Sequence, residues 1–103
     1  MFRLKRKQKS NIKKIAKING KVDYILPKSI EELEELVAVL KDKHINTTRV
    51  ADEVADVIIV LSQLMHYYKL GGKVSKNIDY KTNRTIDLIG RRWLSGRLKK
   101  STY

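Results

Sequence analysis

Five carboxylates in this chain stand at two tight spacings: Glu31-Glu32-x-x-Glu35 and, after seventeen intervening residues, Glu53-x-x-Asp56. If the two segments are helices packed on each other, they gather a cage of oxygen ligands for hard divalent cations. The five belong to an acidic island, because eight of the eleven acids fall between Glu31 and Asp56 in a chain of 103 residues with formal net charge +12. Residues 1–28 carry +9, residues 29–56 carry −5 and residues 57–103 carry +8. A basic excess of this size points to polyanions, whether nucleic acid, an anionic membrane surface or phosphorylated small molecules. Basic flanks around an acidic centre leave room for a polyphosphate held beside a metal.

Length and composition bound the remaining choices. A chain this short is one domain over residues 1–103, with residues 1–10 a basic arm, and its limited core makes oligomerisation a reasonable expectation. The absence of cysteine excludes a disulfide scaffold, thiolate-bound zinc and thiol catalysis. The basic start runs into no apolar segment of the kind a secretory signal needs, so a cytoplasmic location is expected. No apolar run, Val57 to Leu61 included, is long enough to span a bilayer, so no membrane partner is expected.

The elements that must position the acids are helices. Ser10 and Gly20 bracket a short N-terminal helix, and Pro27 breaks the chain after it. Ser29 reads as the N-cap of a helix reaching about Asp42, with Leu33, Leu36, Val37 and Leu40 on its buried face. Lys43 to Asn46 connects it to a long central helix that starts at Thr47 or Thr48 and is ended near Leu70 by Gly71-Gly72. Val50, Val54, Val57, Ile58, Leu61, Leu64 and Met65 form the stripe of that helix, and Ile59 and Val60 widen it until the middle is apolar nearly all round. Its own chain or a second copy must cover it. A last helix runs from about Asn77 to Ile89 and ends at Gly90. No alternating strand pattern of useful length occurs, so the expected fold is all-α: an antiparallel helical bundle completed by oligomerisation.

Helical geometry then sorts the acids. At about 100° per residue, Glu31, Glu32 and Glu35 fall within one flank of their helix, and Glu53 and Asp56 are separated by roughly 60° on theirs. Glu34, Asp42 and Asp52 are left as solvent-facing or capping residues. A plainer account is available for the first group: Ser29 with Glu32 at its third position is a capping box, and acids favour a helix start. The same applies to Asp52 and Glu53. Asp56, two turns in beside buried valines, is costly without a neutralising partner, and the joint pattern favours a metal site.

Ile30-Glu-Glu-Leu-Glu-Glu-Leu and Ala51-Asp-Glu-Val-Ala-Asp-Val together resemble the E-E-x-x-E and E-x-x-D motifs of MazG-like nucleoside triphosphate pyrophosphohydrolases, in the all-α NTP pyrophosphatase superfamily. The resemblance covers residues 29 to 65. It implies a dimeric or tetrameric helical bundle with magnesium, which manganese can replace, between the motif helices. The implied reaction converts a nucleoside triphosphate to its monophosphate and pyrophosphate. By position, Glu32, Glu35, Glu53 and Asp56 would be the metal ligands. Catalytic work would fall to Glu32 and Glu35 together with Glu31, which would bind a further ion or deprotonate the attacking water. Lys81 and Arg84, and more weakly Asn77, resemble the basic and polar positions that hold substrate phosphates.

Two other functions compete. A small basic nucleic-acid-binding helical protein would use the lysines and arginines at both ends, although no RRM, zinc-finger or helix-turn-helix signature is present. A helical interaction module without chemistry would accommodate the charge partition but not the spacing. Tyr67, Tyr68, Tyr80 and Trp93 could stack a nucleobase but read more simply as packing residues, and His66 reads as a packed or interface residue rather than a ligand.

Overall fold

The computed structural model describes residues 2–19 and 22–94, and all regular structure among them is helical. In chain order the helices are α1 (Arg6–Asn19), α2 (Val22–Leu40), α3 (Thr47–Tyr68) and α4 (Gly71–Leu94). The all-α expectation holds. Among the described residues, no helix is long and apolar enough to cross a membrane. The chain divides into two compact units, Met1–Leu70 with the first three helices and Gly71–Tyr103 with α4.

Several helix ends differ from the sequence reading, each for a local reason. Helix α1 begins at Arg6 rather than near Ser10, because the Lys5 N–H finds an acceptor in Gln8 Oε1 at 2.6 Å and caps the start. Residues 6–10 of the basic arm are therefore helical, while Gly20 lies outside the described residues. Phe2 and Leu4 line an apolar groove of about 330 Å³ with Ile12 of α1 and Ile58 and Ile59 of α3.

Pro27 does not break the chain, and Ser29 is not an N-cap. Helix α2 runs through both. Proline in a helix removes one ladder bond and costs about 3 kcal/mol, which burial of a neighbouring isoleucine, roughly 1.5–3 kcal/mol, can largely offset. Ile25 is that residue, only 4% exposed. Ser29 is buried mid-helix, its hydroxyl donating to the Ile25 carbonyl at 2.7 Å. This removes the capping-box account of Glu31, Glu32 and Glu35, which sit in the middle of α2 and not in its first turn.

Helix α3 starts at Thr47, where Asn46 in extended conformation caps it by accepting the Arg49 N–H at 3.2 Å. It closes before the glycines. Lys69 adopts a left-handed conformation, φ 55°, and the Lys69 and Leu70 N–H groups donate to the His66 and Met65 carbonyls at 3.4 and 2.9 Å. That is a Schellman closure, which a non-glycine residue can serve at modest cost. Gly71 and Gly72 instead open α4, and Gly90 lies within it. An interior glycine costs only about 1 kcal/mol relative to alanine, too little to end a helix of this length.

Within the first unit, α3 packs against both α1 and α2. The short link at residues 41–46 makes α2 and α3 antiparallel neighbours. The buried face of α2 is Ile25, Ser29, Glu32 and Val39, and that of α3 is Val57, Val60 and Gln63. This corrects the expected stripe: Leu33, Val37 and Leu40 do not form the buried face. With Leu26 and Ile30 they make a row that is 41–57% exposed, about 100° round α2 from the buried face. On α3, Val54 and Tyr68 are exposed and Leu61 and Met65 half-buried. By the same helical geometry this row turns to the same side of the α2–α3 pair.

Replacing Asn46 with alanine leaves the α3 amide unpartnered and should lower unfolding free energy by about 1 kcal/mol. Urea denaturation followed by far-ultraviolet dichroism checks this, and an unchanged midpoint would show that the cap contributes nothing.

Candidate metal centre

The four principal acids meet across the seam between α2 and α3. Glu32 and Glu35 lie one turn apart on α2, Glu53 and Asp56 one turn apart on α3, and each offers an oxygen within 4.8 Å of all the others. Glu32 is buried, Glu53 and Asp56 are half-buried, and Glu35 is exposed. The seam therefore has a dry floor at Glu32 and an open rim at Glu35.

Charge governs this arrangement. Glu32 Oε1 accepts a hydrogen bond from Lys28 Nζ at 3.1 Å, and the Glu32 side chain is only 9% exposed. Its other oxygen, Oε2, is buried without a hydrogen-bond partner, as is Glu53 Oε2. An unpaired buried carboxylate oxygen is costly and rare in a folded protein. The Glu32 charge, then desolvation and the Glu53 charge, push the Glu35 carboxyl above its ordinary range. Burial pushes Asp56 up as well, with Glu32 and Asp52 adding to the rise and Lys28 opposing it. Lys28 in turn is held above the usual lysine value, mainly by its hydrogen bond to Glu32 and then by the Glu31 charge.

These observations fit a hard divalent cation. The donor set is all oxygen, two of its oxygens lack partners, and the carboxylates repel one another in a way that a positive ion would relieve.

The remaining sequence-derived residues fall elsewhere. Glu31 lies outside the four: its side chain is 56% exposed and its Oε2 is 3.5 Å from Lys28 Nζ. Asn77, Lys81 and Arg84 are exposed on α4, with the Arg84 guanidinium 5.7 Å from the Tyr80 ring centre. Glu34, Asp42 and Asp52 are exposed, as expected. Tyr67, Tyr68 and Tyr80 are exposed rather than packed, Tyr67 and Tyr68 meeting edge-on with ring centres 5.2 Å apart. His66 is exposed too, and the Trp93 side chain lies outside the described residues. Lys28 is the site residue that sequence reasoning missed. The signal was its place four residues before Glu32, which a helix through Pro27 turns into a contact.

No family model, curated protein or solved structure matches the chain. The resemblance to MazG-like enzymes thus rests on the motif residues.

The direction of the carboxylate shifts fixes a pH dependence. Glu35 and Asp56 hold their protons more tightly in the folded chain, so the stability they contribute falls as pH rises from about 4 through their raised values, and the penalty persists above them. The metal-free protein should therefore melt higher near pH 5 than near pH 7.5. Millimolar magnesium or manganese should raise Tm at the higher pH, and Glu53→Gln should raise the metal-free Tm while abolishing the response. Thermal unfolding checks all three, and a Tm indifferent to divalent ions would remove the case for a metal site.

Proposed function

We propose that the protein is a divalent-metal-dependent nucleotide pyrophosphohydrolase, converting an NTP or dNTP to the monophosphate and pyrophosphate, as its resemblance to MazG-like enzymes implies. The observation that supports this best is the convergence of Glu32, Glu35, Glu53 and Asp56, with two buried oxygens lacking partners. A cluster of capping acids would not face inward across two helices.

The metal, magnesium with manganese as a substitute, would supply charge neutralisation at the phosphoryl oxygens and a lowered pKa for water bound to it. Glu32, Glu35, Glu53 and Asp56 would hold it, Glu32 from the floor and Glu35 from the solvent rim where a polyphosphate enters. Glu31, exposed and one residue before the buried ligand, would orient the attacking water and accept its proton. Phosphate binding by Lys81 and Arg84, with Asn77, follows from the resemblance. The large positive charge of the flanks favours an anionic substrate and speeds its arrival.

The proposal includes a homodimer. The exposed row on α2 is spaced four, three, four and three residues, the interval of a helix-to-helix seam, so its cover is helical. Two such rows side by side need a pair of helices, and the α2–α3 hairpin of a second copy has that shape. No charged residue interrupts either row, although 33% of the chain is charged, so a nucleic acid gains nothing there. The face is roughly 20 Å long and two helices wide, on the order of 400 Å² in projection. That is within the roughly 300–600 Å² of the largest apolar patch on a typical monomer, a patch that is often functional, and supplies about half of the ~800 Å² per partner of a standard interface, the polar rim having to supply the rest. The four acids lie at the seam between the helices, about a quarter turn or more from the apolar row, so covering that row does not occupy them.

A panel of NTPs and dNTPs with magnesium or manganese, scored for pyrophosphate release, tests the activity. Glu53→Gln should reduce turnover at least about a hundredfold, as removal of an electrostatic group from a reacting centre does. No turnover on the panel, together with tight binding of DNA or RNA at low salt, would establish the nucleic-acid reading instead. Sedimentation tests the dimer: twice the chain mass is expected, with Leu33→Glu giving monomers. A wild-type monomer would refute it.

A further inference from the structure

Lys28 enters the acid seam from one turn before Glu32. Its Nζ lies 3.1 Å from Glu32 Oε1 and 3.5 Å from Glu31 Oε2, while its side chain remains 33% exposed. A lysine placed four residues before a glutamate is the weaker orientation for a surface helix pair and adds little stability there. Here the glutamate is buried, and the contact satisfies one of its two oxygens while the other has no partner. The same ammonium opposes the rise in the Asp56 carboxyl on the neighbouring helix, so its field reaches across the seam.

We propose that Lys28 is a built-in counter-cation of the acid cluster, competing with the divalent ion for Glu32 and so setting how weakly the site loads. The inference rests on the metal reading above and deepens it. A dication binding the Glu32 carboxylate must either break the Lys28 hydrogen bond or tolerate an ammonium at its side. Both lower affinity. The exposed stem of Lys28 gives the displaced ammonium a route to water, so displacement does not strand a buried charge. A neutral side chain at this position removes the competitor and leaves the four ligands in place.

Manganese binding near pH 7.5, followed by the electron paramagnetic signal of the free ion, separates the two claims. Lys28→Met retains the aliphatic stem and should bind manganese on the order of tenfold more tightly than wild type, the water-like-dielectric limit for a unit charge about 5 Å from a dication. Lys28→Arg should match wild type, and the difference between Met and Lys should shrink as salt screens the rim. Dichroism verifies helicity, and Lys28→Gln serves the same purpose if Met disturbs α2. Equal or weaker binding by the neutral variants, with manganese still bound and lost in Glu53→Gln, overturns the role of Lys28 alone. Absence of manganese binding in both wild type and variants overturns the metal reading and this inference together.

Discussion

The electrostatic repulsion in the seam between α2 and α3 is the constraint on which the rest of the first unit depends. Two helices that meet through Ile25, Val39, Val57 and Val60 also bury Glu32 between them, with Glu35, Glu53 and Asp56 gathered beside it. Burying carboxylates without full partners is among the costlier things a small protein can do. Lys28 offsets part of that cost by pairing with Glu32, and Val57 and Val60 supply apolar contact on the same side of α3. Electrostatic cost concentrated at one place, against an otherwise ordinary helical pair, is what singles this seam out as the candidate site.

The polar seam explains the open apolar face. An amphipathic helix normally turns its largest apolar row inward. In α2 the inward position is taken by Ile25, Ser29, Glu32 and Val39, which leaves Leu26, Ile30, Leu33, Val37 and Leu40 a quarter turn away. The buried apolar core among the described residues is correspondingly slight, made of Ile12, Ile25, Val39, Val57 and Val60. A helix with two packing faces about 90–100° apart has the geometry of a bundle member with two neighbours, and α3 supplies one of them.

The sequence disclosed the site more fully than the helix ends. Spacings of three and four residues survive any shift in where a helix begins, so the intervals brought five acids to one seam, of which Glu32, Glu35, Glu53 and Asp56 meet there while Glu31 points away into solvent. Helix ends depend on competition between local signals and packing, and here packing prevailed. Pro27 and Ser29 looked like a break and a cap, yet burial of Ile25 carries α2 through both. Gly71 and Gly90 looked like terminators, but Lys69 closes α3 and the glycines lie within α4. The choice of buried face on α2 was likewise hidden, because the row with more leucine is not the one that meets α3. Lys28 escaped notice for a related reason, since a helix thought to start at Ser29 leaves no turn in which Lys28 can reach Glu32.

The link between α2 and α3 spans residues 41–46, with Asp42 Oδ1 accepting the His44 N–H at 3.4 Å and Asn46 capping the start of α3. Closing so short a loop costs little chain entropy, and contacts between neighbours in sequence form fastest. The four acids are therefore brought together by one of the cheapest tertiary contacts the chain can make. In kinetic terms, closure of the hairpin is the step at which their mutual repulsion would act as a brake, on a contact of short sequence separation that would otherwise form quickly. Any positive charge present at that moment, on Lys28 or from solution, eases the closure.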